Sequence, residues 1–509
     1  MVYSSMMAKP TTHQTPAVST STEKVSDIST SVTSSYDKKE PIVEAKLVAS
    51  PAVPLKDKEL NLDLSIYGSS IKDIKLNDYG FTLPQNFIGL TTDFQPDQPT
   101  YNAVSNGVTF TYDNKDKGFE VKKSYTFTQD KFIVEMNLEF ISHSDVVTYA
   151  KYNLNLATSD EAVIKKDEVS SRYYEVSISL VDKVLRKAFL ANSLSIPAGN
   201  IKWVGIRDRY FCSIVKPMQD GGSLVLSKNN GLISYVLQIP AVEILPRKTV
   251  THKYLIYLGP QKSEFISKMG SNCEQIVNYG FFDSVAYILL GILKFLFSIC
   301  KNWGLALVLF SFLVFLILSP LSIHSFKSMK KMQQLQPLME QLRTKYKDNP
   351  QRLNKEVMEL YREKGVNPLG GCLPLFLQMP IFIALYSALM RFIDLRGAEF
   401  LWIKDLSQPD RLLVFKASLP IIGNELNILP LIMIVTMLIQ QMMSSKSMQA
   451  SGSANQQKIM GLFMAIFFGV IFYKMPSGLV LYWTINSIAM LIFQAVIFGE
   501  KKPATQEIV

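Results

Sequence analysis

Histidine and cysteine are scarce, with four of each in 509 residues. His13, His143, His252 and His324 stand apart, without an H-E-x-x-H pair or a nucleophile elbow, and no P-loop accompanies them. Neither metal hydrolysis, acyl transfer nor nucleotide chemistry has its usual residues, so no enzyme, cofactor or metal site is expected. Cys212, Cys273, Cys300 and Cys372 show no C-x-x-C spacing, which removes a metal clamp or a disulfide framework. A bridge between Cys212 and Cys273 stays open, although no spacing rule asks for it. Also missing is any run of even seven apolar residues before the first patterned region. The formal net charge of +10 is concentrated around Lys327 to Lys364, too local for a nucleic-acid coat, so DNA is not an expected partner.

Residues 1–57 are rich in Ser, Thr, Lys, Pro and Val without periodicity and read as a disordered tether. From 58 to 265 the pattern has period two. Phe132, Val134, Met136, Leu138 and Phe140 alternate with mostly polar neighbours, as do Tyr174, Val176, Ile178 and Leu180. Turn signals at Ser105-Asn106-Gly107, Asp220-Gly221-Gly222 and Asn229-Asn230-Gly231 punctuate these strands, which predicts a β-sandwich.

The character then changes. Ala286 to Leu321 is almost uninterruptedly apolar over about 36 residues, more than one bilayer crossing needs. Lys294, Lys301 and the break Asn302-Trp303-Gly304 divide it into an amphipathic interfacial helix at 280–300 and a span at 302–321. Further spans are expected at 373–391, 425–444, 458–474 and 478–498, making five, with a tail at 499–509. The segment after the first span carries about ten Lys or Arg, whereas the 391–419 loop nearly balances its charges. The basic segment is therefore cytoplasmic and the β-domain lies outside. Within 325–367, Leu335, Leu338, Met339 and Leu342, then Leu353, Val357, Leu360 and Tyr361, recur at helical spacing around Asp348-Asn349-Pro350, which predicts a helical hairpin.

The stretches NPLGGCLPLFLQMPIFIALY (Asn367 to Tyr386) and MPSGLVLYW (Met475 to Trp483) resemble those of the YidC/Oxa/Alb insertase family, in its long Gram-negative form. WGLALVLF before SPL, LQP at Leu335 to Pro337, LWIKDLS at Leu401 to Ser407 and QQKIM at Gln456 to Met460 support the likeness. The resemblance implies an inner-membrane, multi-pass protein with an α-helical membrane core and a periplasmic all-β supersandwich. It further implies six spans, insertase and chaperone activity, and a polar groove open to the cytoplasm and to lipid. Implied partners are nascent membrane proteins, SecYEG and SecDF, the translating ribosome and anionic lipids. The last two would meet the basic hairpin around Lys330, Lys331 and Arg343.

Ser311, Gln378, Thr436, Gln440, Tyr482, Thr484 and Asn486 are uncharged polar groups within apolar runs, either lining such a groove or hydrogen-bonding between helices. Ser311, Tyr482 and Trp483 match positions that the family presents to its clients. About fifteen of the 21 methionines follow Lys327, and flexible thioethers suit a surface that accepts many different helices.

The chain departs from the family twice. An arginine usual in the first core span is replaced by Phe315, one turn from Ser311, which removes the buried charge that would attract acidic client tails. Arg391 and Lys474 fall near the outer ends of their spans, where snorkelling is the expected use. The signal anchor, the sixth span, is not visible, and a start upstream of Met1 or a truncation is expected. The rival reading is a secondary transporter, but the spans share no visible repeat and carry no central acidic residue.

Overall fold

The computed structural model describes residues 51–79, 81–87, 89–92, 99–160, 172–188, 194–197, 201–219, 222–229, 232–366, 373–419, 423–446 and 454–499. Residues 1–50, where most of the tether was expected, and those after Gly499 lie outside these limits, as does Cys372.

Among the described residues, the period-two region folds mainly as two nine-stranded sheets. One runs from an edge at Ala52–Lys56 through Leu60–Ser65, Ile71–Leu76 and Phe81–Phe87 to Tyr152–Asp160, Leu232–Gln238, Ser223–Asn229 and Ser195–Ile196. The other runs from Val184–Ala188 through Glu175–Ser179, Trp203–Arg207, Phe211–Pro217, Thr249–Pro260, Ile133–Ser142, Phe119–Phe127 and Gly107–Asn114 to Thr100–Val104. Neighbouring strands pair antiparallel, with Phe127 opposite Val134 and Ile133 opposite Tyr257. Alternate residues from both sheets enter one apolar core, where the Phe140 and Tyr152 rings lie 5.6 Å apart.

Both expected ends of this domain shift. Ordered pairing begins at Ala52 rather than 58, because Val53 and Leu55 point inward from a five-residue strand too short to stand out beside its prolines. At the other end the core does not stop at 265, since Ile266, Met269, Cys273, Ile276 and Val277 continue it over short helical turns. Cys212 and Cys273 are both buried free thiols, so the bridge left open by their spacing is not formed. Burial pushes both up, Cys273 to about 12.

Among the described residues eight α-helices follow: α1 Asp283–Cys300, α2 Trp303–Gln334, α3 Gln336–Lys345, α4 Pro350–Glu363, α5 Leu373–Leu389, α6 Ile428–Lys446, α7 Ala454–Tyr473 and α8 Ser477–Gly499. By length and composition α1, α2 over Trp303–Ser325 and α8 over Ser477–Val496 can cross a membrane, and parts of α5, α6 and α7 are shorter apolar helices. The α1 segment, expected only to lie at the interface, is thus also long and apolar enough to span.

The break expected after Leu321 is absent, and α2 runs on into the basic segment. Pro320 lacks the N–H that would bond the Leu316 carbonyl, but the Ser319 hydroxyl donates to that carbonyl at 2.8 Å, so the helix survives. The basic hairpin is therefore α3 and α4 alone. Asn349 caps α4 by accepting the Arg352 N–H at 3.1 Å with Pro350 at its first turn, and Tyr361 of α4 reaches the Met339 sulfur of α3 at 3.2 Å.

Candidate functional site

In the helical bundle α8 packs against α2 and α6, α6 pairs with α7, and α5 leans on α1 and α2. The expected site residues fall along these seams. Tyr482, wholly buried on α8, accepts a hydrogen bond from the Gln378 amide of α5 at 3.4 Å, and its ring lies 5.9 Å from Phe310 of α2. Ser311, the next residue on α2, is also wholly buried and donates its hydroxyl to the Leu307 carbonyl of its own helix at 2.7 Å. Thr436 and Thr484 do the same, to Met433 and Val480. Phe315 is half-buried and meets Phe493 of α8 edge-on at 5.6 Å, while Gln440 is half-buried on α6.

Trp483 does not join this group. One residue along α8 it is turned by about 100° from Tyr482. There it sits among Phe382 at 5.0 Å, Phe472 at 5.4 Å and Phe468 at 5.9 Å, an aromatic cluster between α5, α7 and α8. Of the basic residues expected on the hairpin, Lys331 falls instead on the tail of α2, where it is exposed, and Arg343 on α3 is half-buried, whereas the Lys330 side chain, also on that tail, lies outside the described residues.

The sequence pattern gave no sign of how the outer ends of these helices are fixed. Asp410 is 3% exposed, and one of its oxygens accepts the N–H groups of Ile428 at 2.8 Å and Leu429 at 3.0 Å and the Trp402 indole at 3.2 Å. This carboxylate caps α6 from a distant loop, where the positive helix end favours it. Asn427 accepts the Arg411 N–H and donates to the Tyr473 carbonyl at the end of α7. Ser477 and Gly478, opening α8, donate to the Gln408 and Leu406 carbonyls at 2.7 and 2.9 Å. A Cβ at Gly304 would collide with the Phe400 ring, so glycine there lets α2 approach the same loop. Residues 390–412 thus bracket the outer ends of α2, α5, α6 and α8, and Asn427 ties in the end of α7.

Arg391, expected to snorkel, does not. Its guanidinium donates to the Asn278 carbonyl and stacks over the Tyr173 ring at 5.4 Å, because a fixed acceptor and a ring are within reach where open water was assumed. Tyr210 is half-buried against Arg209.

A two-sheet exported domain joined to a bundle of apolar helices with buried, uncharged polar residues defines an integral membrane protein with a large extramembranous domain. The family described as "YidC periplasmic domain" matches residues 83–292, and that described as "60Kd inner membrane protein" matches 295–504. The membrane protein insertase YidC of Pelobacter propionicus is 36% identical over 383 residues, covering 74% of this chain and 68% of the relative. That of Geotalea uraniireducens is 33% identical over 419 residues, covering 79% and 75%. Among solved structures, an active YidC insertase with its first transmembrane domain resolved is 21% identical, covers 90% of this chain and 97% of that one, and has a TM-score of 0.39. The chain belongs to the YidC family of membrane protein insertases. It is an inner-membrane protein with a periplasmic β-domain, and an insertase rather than an enzyme.

Proposed function

We propose that the chain inserts, folds and helps assemble integral membrane proteins by offering client segments a polar groove that opens to the cytoplasm, alone or with the Sec translocon. The observation that carries this reading is the Gln378–Tyr482 hydrogen bond between α5 and α8, among buried, uncharged polar side chains. Ser311, Phe315, Thr436 and Gln440 would line the groove beside it, with Trp483 on an aromatic wall. Within 303–325, 373–389 and 477–499 there is no Asp, Glu, Lys or Arg. Hydroxyls and amides can hydrogen-bond a passing polar tail, which shortens its path through hydrocarbon, where each unsatisfied group costs several kcal/mol. Without a buried charge, the groove would hold client tails by neutral hydrogen bonds and apolar contact. Nascent membrane proteins are the clients, and SecYEG, SecDF and the ribosome are the expected partners.

The basic segment 327–364 would face the cytoplasm and meet ribosomal RNA or anionic lipid through Lys330, Lys331 and Arg343. Both ends of α1 approach one outer loop: Asn278, before it, accepts from Arg391, and Asn302, after it, donates to the Glu399 carbonyl at 3.4 Å. Lys294, between them, stands 5.8 Å from the Phe392 ring. This favours a helix lying along the periplasmic interface over one that crosses.

The test is reconstitution in sealed liposomes with a single-span client bearing a short neutral tail and no nucleotide. Protease protection of the tail is the expected result. Solute uptake without client insertion would instead indicate a transporter.

A further inference from the structure

After α5, Met390, Arg391, Ile393 and Asp394 are gripped by the periplasmic sandwich, while Phe392 between them packs into the helical core against Trp303. Arg209, on the turn after strand Trp203–Arg207, is 7% exposed, and its Nε donates to the Met390 carbonyl at 2.6 Å. One terminal nitrogen of the same guanidinium donates to the Ser407 carbonyl at 3.3 Å, and its plane lies 4.7 Å from the Tyr210 ring. One planar cation therefore ties together both limbs of the 390–412 bracket. Three further contacts surround it. Ile393 is 4% exposed and belongs to the apolar core of the sandwich. Asp394 pairs with Lys262 at 2.6 Å, and Arg391 answers in the other direction on Asn278 and Tyr173.

The bracket held in this way is the one whose carbonyls receive the first N–H groups of α8 and whose Asp410 caps α6. Met390 follows α5 directly. We propose that Arg209 is a positioning residue, through which the periplasmic domain fixes the outer ends of α5 and α8 and so the spacing at which Gln378 meets Tyr482. A guanidinium buried against carbonyls has a fixed geometry, because its fork can satisfy two acceptors at once only when both limbs are in place. The proposal rests on the insertase reading for its functional consequence but not for its structural one.

The test uses the full chain in lipid nanodiscs, comparing wild type with Arg209→Ala, Arg209→Lys and Asp394→Asn. Two quantities are read: amide hydrogen exchange across 392–408 and the insertion rate of a single-span client. In Arg209→Ala, exchange at Leu395, Ile403 and Leu406 should quicken roughly tenfold with the sandwich strands unchanged, as expected for loss of a local anchor. Insertion should fall several-fold. Arg209→Lys, able to reach one carbonyl but not both, should fall between. If Arg209→Ala unfolds the sandwich, Asp394→Asn reads the same coupling from the loop side, with a smaller rise in exchange expected. Unchanged exchange in the bracket would overturn the proposal, and so would faster exchange with wild-type insertion. Wild-type protein that inserts nothing would refute the insertase reading, while the exchange data would still decide whether the anchor exists.

Discussion

In the sandwich, Glu59, Lys123, Arg207 and Arg209 each expose less than a tenth of their surface, whereas among the described residues of α2, α5, α6 and α8 the buried polar side chains are Ser311, Ser322, Ser325, Gln378, Thr436, Ser477, Thr484, Asn486, Ser487 and Gln494, none of them ionisable. The difference follows from what each architecture leaves free. A sheet domain has turns whose carbonyls are not spent on the ladder: the Lys123 amine donates to the Ser69 carbonyl at 2.8 Å, and the Tyr125 hydroxyl donates to the same carbonyl at 2.7 Å. A helix has already used its carbonyls, so a polar side chain must share one of them, as Ser311, Ser322 and Thr484 do, or find a partner across a seam, as Gln378 does. Ionisable groups are buried where backbone acceptors are fixed and, among the described residues, are not buried in those four helices.

That contrast can be broken most severely where the two regions meet. Asp410→Ala leaves two helix N–H groups and an indole without their acceptor in a buried setting. It should cost about 2–3 kcal/mol, read as a lower midpoint for the helical core in thermal unfolding of the solubilised chain.

Next comes the pH dependence of the sandwich. Burial lowers Lys123 well below its ordinary value of 10.5, so between its folded-state value and 10.5 the unfolded chain binds more protons than the folded one and stability rises with pH. The slope contributed by this one group is at most about 1.4 kcal/mol per pH unit. Lys123→Met should flatten it, and an unchanged slope would show that the amine is not the source.

Smaller effects come from one substitution made in both regions. Tyr125→Phe, losing a bond to a fixed carbonyl, should destabilise the sandwich by about 1 kcal/mol. Tyr482→Phe, losing a bond to a side chain that can find another partner in the bundle, should cost about 0.6 kcal/mol. Equal losses would erase the distinction drawn above.

The contrast also explains what could be read from the residues alone. Apolar runs and period-two strands have local signatures, so the helical bundle and the sandwich were visible in advance. Lys123 was legible in principle: in the strand Phe119–Phe127 it occupies an inward position with Phe119, Val121, Tyr125 and Phe127. The continuation of α2 past Leu321 had no such signature, since the hydroxyl that supports the turn at Pro320 stands at the neighbouring Ser319. The bracket was invisible for a different reason. Arg209 meets Met390 across 181 residues of sequence, Asp410 caps a helix 18 residues on, and neither pairing leaves a periodic trace. Arg391 illustrates the same limit, since its position beside a span suggested solvent when a second domain was there to receive it. Ser311 and Gln378 could be picked out as polar residues in apolar runs, but not how differently they spend their hydrogen bonds.

The central claim, that the charge-free seam receives client helices, is tested most directly by a photo-crosslinking amino acid at Phe315, with Gln440 in parallel. A ribosome-tethered nascent chain exposing one transmembrane helix should become joined to Phe315, and the product should vanish when that helix is made polar. No crosslink at either position, with the protein folded and the client captured elsewhere on it, would contradict the account.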